Sequence, residues 1–273
     1  KEIPKLAKFF ENLIEILRNR FFSVFNLHLE SIRNADPRVL GIPSVTTVGG
    51  LGPHYVTRRY AEFTAAINAL NPENNQTITT KLAALRNQMQ KLMLRLAAPL
   101  QSIPKLSPVQ CKQKQITFLI NNIDQVLSVY SNRSLDVEDG EKWKGSMEQQ
   151  IDKFVEVQLI LYFEKLVRFV KTIEKEIEQV GESNIKWNNA KAGEVAMNFT
   201  DTFQTGIEKL TENIRSWLTN LLTGVEILQK VLSQLVAVYT QFETMVRKHC
   251  HDQSVLKDLI TVGKLTHHVK KCK

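Results

Sequence analysis

The sequence predicts an all-α protein, built as an elongated rod of tandem antiparallel helical bundles. All eight prolines lie in the first 108 residues of the 273-residue chain. Proline removes an amide donor and clashes with the preceding helical turn, so a long stretch without proline favours long helices. Apolar residues recur every three or four positions along most of the chain, and we find no segment that alternates with a period of two. Helices without strands are therefore expected.

Five apolar stripes mark the expected helices in order along the chain. They consist of Leu6, Phe9, Leu13, Leu17, Phe21 and Val24; of Leu82, Leu85, Met89, Leu92 and Leu96; of Ile116, Leu119, Ile123, Val126 and Tyr130; of Ile151, Phe154, Tyr162, Leu166, Phe169, Ile173, Ile177 and Val180; and of one unbroken series from Ile207 to Val246. Amphipathic helices joined by short connections bury such stripes against their sequence neighbours.

Helix-breaking residues indicate the connections between these helices. Residues 34–53 combine Pro37, Gly41, Pro43 and further glycines, which predicts an ordered loop or a hinge. The segment from Pro99 to Pro108 is expected to be extended because it holds three prolines. Residues 131–140 are acidic and predict a solvated turn. We place the main boundary there, between an N-terminal bundle of residues 1–135 and a C-terminal bundle of residues 136–273.

Composition limits the class of protein. Its 43% apolar and 23% charged residues are typical of a globular chain, and no run of about eighteen uncharged apolar residues predicts a membrane-spanning helix. The three cysteines are odd in number and not closely paired, which favours reduced thiols in the cytosol. A net charge of +8 favours acidic partners, phosphorylated ligands or anionic lipid without deciding among them.

Much of the positive charge lies at the C-terminal end. Residues 247–273 hold seven lysines and arginines against two aspartates. The candidate partner or membrane surface comprises Arg247, Lys248, Lys257, Lys264, Lys270 and Lys271. These residues lack interleaved aromatic side chains, so nucleic-acid binding is not expected. A simple solvated tail remains an open alternative, because charge runs are often only solvated.

Catalytic and metal sites are not indicated. The glycine-rich segment from Val48 to Gly52 lacks the lysine and hydroxyl of a phosphate loop, which favours a plain hinge. No nucleophile with a base is discernible, so we expect neither an enzyme nor a cofactor. Metal-competent side chains gather near the C-terminus without a familiar ligand spacing, which argues against zinc. These are His249, Cys250, His251, His267, His268 and Cys272.

A polar and aromatic motif follows the glycine-rich segment. It contains His54, Tyr55, Arg58, Arg59, Tyr60, Glu62 and Phe63. Tyr60, Phe63 and Ile67 share one face of a helix expected to begin at Pro53, which predicts that they belong to the core. Arg58 and Glu62 have the spacing of an ordinary intrahelical ion pair. The exposed charges could instead cap a neighbouring helix or contact a partner.

The stretch from Gly52 to Phe63 resembles the C-terminal region of the vacuolar protein sorting-associated protein 52 family, the subunit shared by the GARP and EARP tethering complexes. Further segments match in the same order. They include Asp36-Pro37 with Leu40-Gly41, Thr117 to Asp124, Leu166 to Lys171, and Gln234-Leu235 before Tyr239. The resemblance covers nearly the whole chain.

The resemblance implies a rod like those of multisubunit tethering complex (CATCHR) subunits, and a non-enzymatic C-terminal leg in retrograde transport from endosomes to the trans-Golgi network. It implies sister subunits, SNAREs and a Golgi Rab GTPase as partners, with peripheral membrane association on the cytosolic face of these compartments. The alternative is a basic helical module that binds anionic lipid or phosphoinositide directly. The distinguishing feature is whether residues 247–273 form one exposed face.

Overall fold

The computed structural model describes residues 4–41, 43, 50–71, 75–135, 137–182, 185–250 and 252–272, and no strand occurs within these ranges. The predicted all-α class is confirmed. The helices are α1 (Pro4–Asn34), α2 (Pro37–Leu40), α3 (Tyr55–Ala69), α4 (Gln76–Ala97), α5 (Pro108–Asn132), α6 (Glu138–Val180), α7 (Asn189–Trp217), α8 (Leu221–His249), α9 (Gln253–Asp258) and α10 (Val262–Cys272). Part of the predicted hinge, including Val48 and Gly49, lies outside the described residues.

Local capping explains where several helices begin. Ser107 and Gln110 form a reciprocal capping box at the start of α5, with Pro108 in the first turn, where its missing amide hydrogen costs little. The expectation of an extended segment from Pro99 to Pro108 is wrong in its first part. Residues Ala98–Ser102 form a 3-10 helix that continues directly from α4, and Pro99 occupies its tolerated first turn.

The stripe predicted as one helix from Ile207 to Val246 is interrupted. Helix α7 ends at Trp217, and α8 begins at Leu221 after a short turn. The side chain of Asn220 accepts a hydrogen bond from the Leu222 amide and so caps α8. Asparagine competes with the helix for backbone donors, and this allows the chain to reverse although the apolar period continues on both sides. Helix α8 then packs against α7 and α6.

Helices α4 and α5 bury the stripes that the sequence predicts for them. The series from Leu82 to Leu96 and from Ile116 to Tyr130 are buried throughout. Helix α6 is 43 residues long, and its backbone departs from helical geometry at Phe163. Gly206 of α7 lies against this point, where an added Cβ would approach the Phe163 ring to 2.8 Å. The absence of a side chain at Gly206 therefore permits close packing of α6 and α7.

The first helix departs from the predicted packing. Phe25 is buried and Phe21 packs beside it, but Leu6, Phe9, Leu13, Leu17 and Val24 are exposed. Helix α1 packs against α4, which begins at Gln76. The contact reaches α1 near Phe22, because the Lys81 ammonium in the second turn of α4 lies 5.1 Å from the centroid of the Phe22 ring. The N-terminal half of α1 thus extends beyond the bundle, where no helix of the described chain covers its stripe.

The surface area indicates an elongated shape, as predicted. The chain exposes 16149 Å², whereas a compact monomer of this mass exposes about 12000 Å². Buried apolar residues nevertheless form one continuous cluster from Phe25 to Val269. Helices α5 and α6 pack against each other across the predicted boundary between residues 135 and 136. The division into two bundles stays a prediction.

Helix α8 differs from the expectation that no segment could span a membrane. By length and composition Leu221–His249 is long and apolar enough to do so, and it is the one such helix within the described ranges. A core helix of a globular protein meets the same criteria. In this structure Val231, Leu235 and Phe242 are fully buried, and α8 contacts α6, α7 and α10. Packing within the protein accounts for this part of its apolar composition, whereas Leu221 and Leu222 in its first turn are exposed.

Candidate functional site

The motif that begins at His54 starts helix α3. The sequence predicts that this helix begins at Pro53, but it begins at Tyr55 because His54 acts as its N-cap. His54 Nδ1 accepts a hydrogen bond from the Val56 amide at 3.3 Å. Burial lowers the pKa of His54, with the backbone of Leu40 and Gly41 opposing this shift. A lowered pKa favours the neutral imidazole that can accept this hydrogen bond.

Two adjacent asparagines of α5 hold the loop that leads to this motif. Asn122 Oδ1 accepts hydrogen bonds from the His54 amide at 2.8 Å and from the Thr57 hydroxyl at 2.7 Å. Asn121 Nδ2 donates to the carbonyl oxygens of Leu51 and Trp217, each at 2.9 Å. We refer to Asn121 and Asn122 as the asparagine pair. It fixes the start of α3 to the middle of α5.

The same segment of α5 also fixes the turn between α7 and α8. Asn121 Oδ1 accepts a hydrogen bond from the Thr219 amide at 3.1 Å. Asp124 accepts hydrogen bonds from Asn220 Nδ2 at 3.0 Å and from the Thr223 hydroxyl at 2.6 Å. In the sequence, Asn121, Asn122 and Asp124 stand out only as part of the resemblance described above. Two amides within an otherwise apolar helical run were the signal that buried hydrogen bonds were needed there.

The apolar members of the motif pack inside the protein. Tyr60 is 4% exposed, and its ring meets Trp143 edge to face at 5.9 Å between centroids. Phe63 is half-buried, with its ring 5.8 Å from Phe25 and 4.6 Å from His28. Ile67 is also buried. These contacts place Tyr60 and Ile67 in the core and Phe63 at its edge.

The charged members of the motif have different surroundings. Glu62 pairs with Arg133, the residue directly after α5, in place of the intrahelical pair expected with Arg58. Arg58 and Arg59 are both exposed. The Arg59 guanidinium lies 5.4 Å from the centroid of the Tyr55 ring, and that ring is itself half-exposed. Tyr55 and Arg59 border an apolar cavity between α1, α2, α3 and α4.

The six basic residues of the candidate partner or membrane surface are all exposed, but two of them form ion pairs. Arg247 pairs with Glu243 of the same helix, and Lys248 pairs with Glu182 at the end of α6. Ion pairs to Lys257, Lys264, Lys270 and Lys271 do not occur among the residues that the structure describes. Within the described chain, the basic residues of this surface that form no ion pair therefore lie on α9 and α10, and the role of this surface stays a prediction.

The histidines and cysteines near the C-terminus are dispersed. Cys250 is buried, Cys272 is partly buried, and His249 stacks near Trp187 with ring centroids 5.4 Å apart. His251 lies outside the described residues. Within the described part of the chain, no group of three or more side chains could hold a metal ion.

Helix α1 carries more of the exposed large apolar side chains than any other helix of the described chain. It comprises Leu6, Phe9, Phe10, Leu13, Ile14, Ile16, Leu17, Val24 and Leu27, each between 39% and 65% exposed. We refer to these residues as the α1 face. Single exposed apolar residues are ordinary, but a continuous apolar surface is typical of an interaction site.

Comparison with known proteins decides the family. The family model described as Vps52, C-terminal, matches residues 1–158, which include α1, the motif and the asparagine pair. The chain belongs to the Vps52 family. The vacuolar protein sorting-associated protein 52 homologs of Homo sapiens and Canis lupus familiaris are each 29% identical to it over 250 residues, or 90% of this chain and 32% of theirs. The protein 52 A of Arabidopsis thaliana is 30% identical over 99% of this chain and 36% of its own length.

The Vps52 similarity also extends beyond the matched family region. The alignment with the Arabidopsis thaliana relative covers 277 positions and thus reaches into α7 to α10. The chain spans about a third of the length of the curated relatives that it matches. No solved structure matches this chain.

Proposed function

We propose that this chain is the C-terminal helical leg of a tethering-complex subunit and acts by protein–protein binding in retrograde transport from endosomes to the trans-Golgi network. Membership of the Vps52 family supports this role. Sister subunits, SNAREs and a Golgi Rab GTPase are the proposed partners. The proposed location is the cytosolic face of the trans-Golgi network and endosomes, as a peripheral membrane protein. The bundles of residues 1–135 and 136–273 are the proposed units of the leg.

The α1 face is the observation that carries the binding role. Its apolar side chains lie on one side of a continuous helix, while Lys8, Glu11, Glu15 and Arg18 occupy the other side. The simplest way to cover the apolar side of a helix is a second amphipathic helix, whose apolar side chains pack between those of the first. The proposed occupant is a helix of a sister subunit.

Substitution of the α1 face in the full-length protein tests this proposal. A triple variant removes apolar area that the described part of the chain leaves exposed. It combines Phe9→Gln, Leu13→Gln and Leu17→Gln. We expect loss of sister subunits from the purified complex, with little change in the melting temperature of this chain. Glu11→Gln with Glu15→Gln on the opposite side of α1 is the matched control and should leave assembly unchanged.

Two outcomes would contradict the proposed occupant. Full recovery of the sister subunits with the triple variant would show that the α1 face is not their binding surface. Light scattering that finds a dimer of the isolated chain, abolished by the same substitutions, would assign the α1 face to a second copy. A direct lipid-binding module remains the alternative function, and it depends on the exposed lysines of α9 and α10.

A further inference from the structure

An apolar cavity of about 350 Å³ opens to the surface between α1, α2, α3 and α4. Its walls consist of Ile32, Leu40, Val56, Tyr60, Phe63, Leu85 and Leu92. Protein interiors are packed so closely that voids larger than a few water molecules are uncommon, whereas ligand pockets begin at about 300 Å³. The cavity is therefore large enough for a bulky apolar side chain.

The mouth of the cavity has a polar and aromatic border. Tyr55 and Arg59 border it on the α3 side, and His28 and Ser31 border it on the α1 side. Among the described residues, no carboxylate forms an ion pair with Arg59, whose recorded contact is with the Tyr55 ring. An arginine beside an apolar opening offers one positive charge to an incoming group.

Packing explains only half of the motif that lines this cavity. Tyr60 and Phe63 contribute to the core, but Tyr55 is 49% exposed and Arg59 is exposed as well. Exposed aromatic and arginine side chains beside a pocket are typical of binding surfaces, where both residue types are enriched. The surface is also continuous with the α1 face, because the exposed Val24 lies one helical turn before His28 on the same side of α1.

The geometry points to a docking site for a segment of a partner protein that inserts one bulky apolar side chain into the cavity and pairs a carboxylate with Arg59. This inference rests on the proposed function in that the ligand is a protein. A phosphoinositide headgroup requires a cluster of basic residues, and Arg59 is the only lysine or arginine that borders the cavity within the described chain. The charge and shape therefore favour an acidic peptide with an apolar anchor.

Selection from a phage-displayed library of random twelve-residue peptides tests the docking site on the immobilised chain. We expect the wild-type chain to enrich peptides that carry a bulky apolar residue within one helical turn of Asp or Glu. A synthetic copy of the leading peptide should bind about fivefold more weakly to Arg59→Gln, the loss expected for one exposed charge pair. Replacing its acidic residue by the amide should weaken binding to the wild type equally.

Two further variants keep the inference falsifiable. Arg58→Gln removes an equally exposed arginine that does not border the cavity, and binding should be unchanged. Ser31→Trp fills the mouth from an exposed position, so it should weaken binding at least tenfold while the melting temperature is retained. No enrichment, or equal binding by the Arg59→Gln and Arg58→Gln variants, would overturn the docking site. Neither result bears on assembly through the α1 face, which is tested at other residues.

Discussion

Leu51 and Trp217 lie far apart in sequence, yet their carbonyl oxygens accept hydrogen bonds from the same nitrogen, Nδ2 of Asn121. Through this one side chain, α5 holds both the loop before α3 and the end of α7. The amide is 1% exposed, so water cannot easily replace its hydrogen bonds when the side chain is removed.

We therefore expect Asn121→Ala to lower the free energy of unfolding by about 2 to 4 kcal/mol, because it leaves several buried backbone groups without a partner. Urea denaturation followed by circular dichroism measures this change. Asn87→Ala, at an exposed position of α4, is the matched control and should change stability by less than about 0.5 kcal/mol. Equal effects at the two positions would show that the hydrogen bonds of Asn121 contribute little.

Close packing at Gly206 makes a second prediction. An added methyl group would meet the Phe163 ring at 2.8 Å, so Gly206→Ala should destabilise the chain by about 1 to 3 kcal/mol despite the better helix propensity of alanine. Gly145→Ala should instead stabilise it by up to about 1 kcal/mol, because alanine has the better helix propensity and nothing lies within 4 Å of the new methyl group. Thermal unfolding of both variants tests the pair, and a stabilising Gly206→Ala would mean that Phe163 moves freely.

The environment of Lys114 predicts a pH dependence of stability. Burial lowers the pKa of Lys114 to about 8 from an ordinary value of 10.5, although its ammonium lies 3.1 Å from the centroid of the Trp217 ring. Between these two values the unfolded chain binds more protons at this site than the folded chain does, so stability rises with pH in that window.

Between pH 7.5 and pH 10.5, the free energy of unfolding of the wild type should thus rise by about 1 to 2 kcal/mol relative to that of Lys114→Met. This is less than the full pKa shift would give, because the side chain is only half-buried. Urea titrations at several pH values give this difference, in which the other titrating groups cancel. Parallel pH profiles of the two proteins would contradict the shift.

The exposed lysines of α10 predict a salt-dependent contact. Lys264→Gln, Lys270→Gln and Lys271→Gln should leave the melting temperature nearly unchanged, since all three side chains are exposed. Any flotation of the chain with anionic liposomes should weaken in this variant, and in the wild type it should fall as salt rises. The control variant changes Lys153, Lys175 and Lys209 to Gln, so it has the same total charge as the first triple variant. Identical flotation of the two triple variants would show that the lysines of α10 are solvated and make no membrane contact.

The period of apolar residues predicts helices well but does not reveal what covers them. It placed the buried faces of α4 and α5 correctly, because those helices lie between others. It failed for α1, since the stripe from Leu6 to Leu17 satisfies the same pattern as a core helix although the described chain leaves it exposed. Periodicity also continued through Thr219 and Asn220, where side-chain capping reverses the chain.

The local sequence around the motif predicted which of its residues belong to the core, but not the partners of its polar residues. Tyr60 and Ile67 were placed in the core by their helical spacing. The partner of Glu62 and the hydrogen bonds of the asparagine pair depend on α5, which comes much later in the chain. Their geometry could not follow from spacing within α3. The cavity beside Tyr55 likewise forms only when four separate helices meet.

If a sister subunit covers the α1 face, as proposed above, the exposed face has a consequence for the life of the protein in the cell. Until a partner covers them, Phe9, Phe10 and their apolar neighbours form the kind of surface that chaperones bind and that quality-control ligases mark on unassembled subunits. Synthesis in excess of the partner would then give a short-lived chain, and the abundance of the subunit would follow the supply of its partner. A degradation signal that is hidden by assembly would in this way set the stoichiometry of the complex.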